Sequence, residues 1–343
     1  MTALGLVGDP GQDRLSPVTY TGRAVVAGSL GGPEVLRVVQ RESAEPGPGQ
    51  VLVAVEAAGV NPWDWKSYAP GSGGTPPVDL GIEVAGVVRA VGAGVRWFSP
   101  GDEVAAWPVR GGYADLVTVP QQVLVRRPPS LPAPAAAGLL AAGAAALHAV
   151  VATEVDADEV VVVHGGSGGV GRMAVQLAVL RGAHVVATAS PGWHACLSRL
   201  GAVPVTHGPG LLDRLREAAA GLGDVVAAVD TVGTPEALET SLALVADRRR
   251  VATLVALDRA AELGIRGLGH GPGADPGTDV RDAARGQLTA LAADGSLDVL
   301  VTGTYALEDA AQAHHRSRAG HAGGKLVLVT DAARATGAHA PVH

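Results

Sequence analysis

The chain has 343 residues, more than one domain usually holds, so two domains with room for a sizeable core are expected. Its formal net charge of −7 and its lack of any basic stripe exclude a nucleic-acid backbone as partner. A single cysteine, Cys196, excludes an intramolecular disulfide framework and a cysteine-rich metal site, which fits a cytoplasmic protein.

Residues Met1 to about Thr19 mix Gly, Pro, Asp and Ser without a period, so a loose extension with no secretory signal is expected. From Gly22 to Pro120, short apolar runs are broken by Gly and Pro: "RAVVAG", "VLRVVQRE", "QVLVAVEAAGV", "EVAGVVRAVG", "DEVAAW" and "YADLVTVP". That spacing predicts the strands of a β-rich, barrel-like domain. "LPAPAAAGLLAAGAAALHAVVA", Leu131–Ala152, has the length of a membrane span, but it is mostly alanine and carries prolines, glycines and His148. A buried helix at a domain junction is expected there, and no membrane partner. Strands then alternate with helices: "EVVVVHG", "GRMAVQLAVLRG", "AHVVATA", "HACLSRLGA", "DVVAAVDTVG", "PEALETSLALVA" and "RRVATLV". This rhythm predicts βαβ units and a parallel sheet. "DVRDAARGQLTALAADG" and "ALEDAAQAHHRSRAGHAGG" read as helices, "KLVLVT" as a last strand, and the tail from Asp331 has no pattern.

Gly166, Gly168 and Gly171 form G-x-G-x-x-G, with Ser167, Gly169 and Val170 completing the loop between a strand and a helix. In that setting the first glycine permits the turn and the second lets a pyrophosphate approach the backbone. The third lets helix and strand pack closely, and the helix N-terminus attracts the anion. The loop is expected to hold phosphate rather than serve as a bare turn. An NAD site usually places Asp or Glu at the end of the second strand, for the ribose 2′-hydroxyl. Ser190 stands there instead and does not repel a 2′-phosphate, so NADPH is the expected cofactor. His194, Arg199 or His207 would have to supply the positive charge.

The segments "AAGVNPWDWK", "GIEVAGVVRAVG", "GDEVAAW", "GGYADLVTVP", "VVVHGGSGGVGRMAVQLA", "VDTVG" and "AHHRSRAGHAGGKLVLV" together resemble the medium-chain dehydrogenase/reductase superfamily. The likeness is to its zinc-free quinone oxidoreductase and enoyl reductase branch, and it runs from about Gly22 to Thr330. It implies an α/β fold: a GroES-like β-rich catalytic domain plus a Rossmann doubly wound parallel-sheet domain. The implied boundaries are residues 1–143 and 283–343 for the first and 144–282 for the second, in a homodimer. The resemblance also carries Thr231 and Val232 of "VDTVG", and Lys325 of the closing segment, over to the cofactor.

Where zinc-dependent relatives carry Cys-His and Gly-His-Glu, this chain has Asn61-Pro62 and Gly81-Ile82-Glu83, so no metal site is expected. Alcohol oxidation then gives way to NADPH-dependent reduction of a quinone, or of an enone C=C bond with hydride going to the β-carbon. A tailoring enoyl reductase or cyclase acting on a bulky polyketide-like substrate is one alternative. A dinucleotide-binding redox sensor without turnover is the other. Either enzyme takes a small-molecule substrate.

Such a reduction needs a group to polarise the carbonyl oxygen. Asn61 and Lys66 are the candidates from "NPWDWK", with Lys66 orienting the nicotinamide ribose, polarising the carbonyl, or standing as a solvated surface lysine. Asp64 is read either as a site residue or as a cap of a short helix after Pro62. Tyr113 is a third catalytic candidate, against the plain reading of a packed tyrosine. His270 lies in a glycine-rich loop with access to the nicotinamide side, while His314, His315 and His321 are read as helix-end or packing residues. Two positions depart from the family pattern. Ala144-Ala145 replaces Leu-Thr, and Thr206-His207-Gly208 replaces an acidic-aromatic pair.

Overall fold

The computed structural model describes residues 19–320 and 322–331. The extension expected before Thr19, the tail expected after Asp331, and His321 lie outside the described residues. A seven-stranded sheet draws Gln50–Val60, Val84–Val91, Glu103–Ala106, Leu116–Pro120 and Leu124–Arg126 from the first part of the chain, and Val301–Ala306 and Lys325–Val329 from its end. Lys325–Val329 runs antiparallel to Gln50–Val60, with Leu326 opposite Val60, which brings Lys325 level with Asn61. A smaller sheet packs Leu36–Ala44 and Val78–Asp79 against Thr19–Ala27.

The middle of the chain forms a six-stranded parallel sheet. Its order is Ala202–Thr206, His184–Ala189, Val160–His164, Val225–Asp230, Val251–Thr253 and Arg266–Gly267. The chain leaves Val160–His164 for one side and later returns to its other side, so a crevice opens at the carboxyl ends of these strands. Val160–His164 is buried on both faces, as its unbroken valines require. The expected α/β architecture is therefore present, with a parallel-sheet Rossmann unit beside the β-rich one.

Among the strands that escape sequence reading are Ala202–Thr206 and Val301–Ala306. Ala202–Thr206 contains Pro204, which argues against a central strand; it lies at the edge of the sheet, where no second ladder needs the missing N–H. Val301–Ala306 has no fully buried residue, with Thr304 exposed and the others half-buried, and shows no alternation. Helix Leu211–Ala219, which follows the first of these strands, also carries no signal that was read.

The alanine-rich segment forms two helices, Ala133–Ala137 and Leu140–Ala152, parted at Gly138. Ala144, Ala146 and Ala149 are fully enclosed, and their small side chains let Leu140–Ala152 pack closely on Gly169–Leu180 and Thr278–Ala293. Among the described residues, no helix is long and apolar enough to cross a membrane.

Candidate active site

A cleft of about 720 Å³ lies at the carboxyl ends of the parallel strands and reaches across to the seven-stranded sheet. Its floor is the glycine loop. Gly165 adopts a left-handed φ of 77°, and its N–H donates to the Thr188 hydroxyl at 3.0 Å. A Cβ on Gly171 would meet the Gly165 carbonyl oxygen at 2.1 Å, so close helix–strand contact requires glycine there. Gly168 differs. A Cβ there meets nothing nearer than 3.5 Å, so the protein's own packing leaves that space open. Helix Gly169–Leu180 starts with no side-chain cap, and Gly169, Val170 and Gly171 line the cleft at its first turn. Their N–H groups have no partner inside the helix and present partial positive charge. The residues present fit a pyrophosphate.

Ser167, Gly168, Ser190, His207, Thr231 and Val232 also line the cleft, whereas Gly166 lies beneath it. Asp230 accepts the N–H groups of Val232 and Gly233 at 3.0 and 2.9 Å, and the Thr231 hydroxyl donates to the His164 carbonyl at 2.6 Å. These bonds turn Thr231 and Val232 toward the loop. Ser190 Oγ lies 3.3 Å from His207 Nε2. The guanidinium of Arg214 is held beneath by the carbonyls of Thr206, Gly208 and Pro209. Glu236, the acid at this end, accepts the Gly208 N–H at 2.9 Å. His194 and Arg199 are not brought into the cleft; His194 Nε2 faces the Ala189 carbonyl at 3.3 Å instead.

At the other end, Lys325 is the single lysine or arginine among the described cleft-lining residues. Its Nζ donates to Asn61 Oδ1 at 2.6 Å and to Glu83 Oε1 at 2.8 Å. Asn61 Nδ2 donates to the same Glu83 oxygen at 3.0 Å, and Glu83 Oε2 accepts the Ala141 N–H at 2.9 Å. Asn61 is thus in the cleft, but both atoms of its amide are engaged inside this network. Glu83 was read only as the remnant of a zinc motif. A glutamate kept where the histidine before it is lost was the available signal. Ser317 was also missed. It lines the cleft and accepts Trp65 Nε1–H at 3.2 Å, which leaves its own O–H free to donate.

Two catalytic candidates stand away from the cleft lining. Lys66 is exposed, stands 5.5 Å from the Trp65 ring centre, and does not line the cleft. At 100° per residue Lys66 stands about 200° round the short helix Pro62–Lys66 from the buried Asp64, so it is carried to the outer face, while Asn61 caps the helix start. Tyr113 is fully buried away from the cleft, its hydroxyl donating to Asp64 Oδ2 at 3.0 Å and lying 3.1 Å from His314 Nε2. His314 Nδ1 in turn meets the Tyr68 hydroxyl at 2.8 Å. Asp64 forms the reciprocal cap with Asn61, accepting its N–H at 2.8 Å. Burial pushes the Asp64 carboxyl up to about 7 and pulls the His314 imidazole down to about 4. His270 is exposed and off the cleft. Ala142, rather than Ala144 or Ala145, reaches the cleft from its helix.

Among the described residues, no group of three or more His, Cys, Asp or Glu is arranged to hold a metal ion. A second depression of about 910 Å³ lies at the opposite ends of the parallel strands, lined by Asp224, Asp247 and Arg250 among others. Arg250 is paired with Glu159 there, and sites in open parallel sheets form at the carboxyl ends instead.

Residues 47–129 match the alcohol dehydrogenase GroES-like domain family, and residues 210–328 the zinc-binding dehydrogenase family. The chain is 32% identical over 344 residues to erythronolide synthase of Saccharopolyspora erythraea, across 93% of this chain and 9% of the synthase. It is 36% identical over 175 residues to a quinone oxidoreductase of Pseudomonas aeruginosa, across 50% of this chain and 54% of that protein. The alignment thus spans about half of that oxidoreductase and a small part of the synthase. A solved mycobacterial quinone oxidoreductase superposes with a TM-score of 0.73 at 30% identity, covering 90% of this chain and 99% of that one. A mycobacterial protein complexed with NADPH gives 0.76 at 29% identity, over 90% and 99% of the two chains.

Proposed function

The chain belongs to the medium-chain dehydrogenase/reductase superfamily, in its quinone oxidoreductase-like branch, and from that premise we propose a zinc-independent NADPH-dependent reductase. Its substrate is a quinone or an enone-type small molecule, reduced in the cytoplasm by a homodimer. The observation that carries this reading is the open cradle at Gly168 beside an uncapped helix start. A nicotinamide held at the glycine loop would supply hydride chemistry, reducing an enone at its β-carbon with a proton to the α-carbon, or a quinone to its hydroquinone with one proton.

The chain's own residues bind and orient. Lys325, with two of its three N–H groups held by Asn61 and Glu83, keeps the third for an anion beside the glycine loop. Val60, Pro62, Ala142 and Leu326 wall the substrate end with apolar surface, which suits a quinone or enone. Ser317 is placed to donate to the carbonyl oxygen where negative charge grows. The identity with erythronolide synthase supports a second reading within the same chemistry, reduction of a polyketide-like enone.

Steady NADPH consumption with quinones, enals or cyclic enones, undiminished by a chelator, tests the reading. Tight NADPH binding with every such substrate refused would favour the redox sensor. A requirement for stoichiometric zinc would remove zinc independence.

Two substitutions probe the cofactor end. Gly168→Ala is expected to keep the thermal midpoint yet weaken dinucleotide binding by about tenfold or more, because the methyl fills the phosphate space. Gly171→Ala, with a carbonyl 2.1 Å from its Cβ, is expected to lower the thermal midpoint as well. Equal midpoints for the two variants would contradict this division. Ser190→Asp is expected to weaken NADPH by about tenfold while sparing NADH, since its carboxylate would face the 2′-phosphate. Isotherms in which both cofactors weaken alike would count against NADPH selectivity at this position.

A further inference from the structure

We propose that Arg214, which lies outside the cleft lining, makes the cofactor end selective for a 2′-phosphate. It pins the turn that carries His207 and places a full positive charge behind it. This role rests on the reading that the dinucleotide is NADPH. Charge is the difficulty at this end of the cleft. A ribose 2′-phosphate brings about two negative charges to the neighbourhood of Ser190. Among the described lining residues, that end holds the acid Glu236 and no lysine or arginine, since Lys325 stands at the other end. Ser190 Oγ and His207 Nε2, 3.3 Å apart, offer the phosphate hydrogen-bonding partners. A cation to balance it has to act from behind the lining.

The sequence builds that arrangement locally. The turn Thr206-His207-Gly208-Pro209-Gly210 leaves strand Ala202–Thr206, and Gly208 and Gly210 take left-handed φ values of 100° and 81°. Residues with a Cβ rarely adopt that backbone, so the two glycines let the turn bring several carbonyls to one point. Arg214 collects three of them. Its Nε donates to the Thr206 carbonyl at 3.0 Å, Nη2 to Gly208 at 2.8 Å and Nη1 to Pro209 at 2.8 Å. The carbonyls before and after His207 are thus fixed on one planar fork, which sets where His207 stands against Ser190.

The helix that follows aims the side chain. Leu211 lines the cleft, and Arg214, three positions on in Leu211–Ala219, lies on the same face. Glu236 grips the turn from its other side by accepting the Gly208 N–H at 2.9 Å. The guanidinium offsets that carboxylate, which would otherwise face the phosphate unopposed. Arg214 is half-buried, so its charge is screened less than one on an open surface. Arg199, by contrast, is exposed and stands off the lining.

Adenosine 2′,5′-bisphosphate and 5′-AMP differ only in the 2′-phosphate, so the ratio of their dissociation constants isolates it. In calorimetry on the full chain, wild type is expected to prefer the bisphosphate by about tenfold or more, and Arg214→Gln to lose most of that preference. Arg214→Lys keeps the charge and gives up the fork, so its ratio is expected to fall between the two. Arg199→Gln is expected to leave the ratio unchanged. A merely structural Arg214 would weaken both fragments alike and leave the ratio intact. A wild-type ratio in Arg214→Gln therefore overturns the role and leaves the NADPH reading standing. Equal binding of the two fragments by wild type removes both. A Lys variant no better than the Gln variant overturns the charge behind the turn. Where Arg214→Gln does not fold, Arg214→Lys takes its place, and a wild-type ratio in it overturns the role.

Discussion

Lys325→Met is expected to destabilise the protein by about 3–5 kcal/mol, because it leaves the Glu83 carboxylate buried without its cation. The two residues are 4% and 1% exposed, so water cannot take the place of the ammonium 2.8 Å from Oε1. Glu83 would keep the N–H groups of Asn61 and Ala141, which soften the loss without neutralising the charge. Adding Glu83→Gln to Lys325→Met is therefore expected to restore stability. The amide oxygen keeps an acceptor for the Ala141 N–H, Asn61 can turn its freed amide oxygen toward the new NH2, and the stranded charge is removed. Glu83→Gln alone should be costly in the opposite sense, since it strands the ammonium. Urea midpoints of the four proteins form a double-mutant cycle with strong coupling. If Lys325→Met stays within about 0.5 kcal/mol of wild type, as ordinary surface changes do, the buried-pair account fails. The same outcome follows if the double variant is the least stable of the four.

This network also shows where sequence reading stops. The glycine loop is legible because its strand, turn and helix are adjacent along the chain, and each glycine has a local reason. The parallel sheet is legible in the same way, from alternation of short elements. Lys325 and Asn61 are 264 positions apart and meet only because the last strand pairs with Gln50–Val60 in one register. Nothing local marks that pairing. The buried cluster of Asp64, Tyr68, Tyr113 and His314 has the same origin, two chain ends folded into one sheet unit. Lys66 stands off the cleft lining for a simpler reason. A motif names residues without stating the helical phase, and two positions past Asp64 already turns a side chain to the rim. Ser190 and His207, by contrast, sit at strand ends, where the topology itself directs side chains into the crevice.

The buried cluster leads to the second large effect, which is hidden in the wild type. Ionised Asp64 needs the Tyr113 proton, so Tyr113 accepts from His314 Nε2–H and His314 Nδ1 accepts from Tyr68. Protonated Asp64 lets every bond in this chain reverse. Burial raises the Asp64 carboxyl from 3.8 to about 7 and lowers the His314 imidazole from 6.5 to about 4. Between about pH 4 and 6.5, the folded protein then holds one proton on Asp64 and none on His314, and the unfolded chain holds one on the histidine and none on the aspartate. The counts are equal, so the pair contributes no slope to stability.

Each single substitution should expose the other group. In Asp64→Asn, His314 remains neutral when folded and charged when unfolded, so stability is lost as pH falls from 6.5 toward about 4. In His314→Gln, Asp64 remains protonated when folded and ionised when unfolded, so stability is greatest below 3.8 and is lost as pH rises toward about 7. Each slope should approach 1.4 kcal/mol per pH unit, with opposite signs, because one proton separates the two states. Urea midpoints measured every half unit of pH and referred to wild type isolate these slopes, since all other groups titrate alike in the three proteins. Parallel profiles for wild type and both variants would show that burial does not hold Asp64 and His314 in these opposed states.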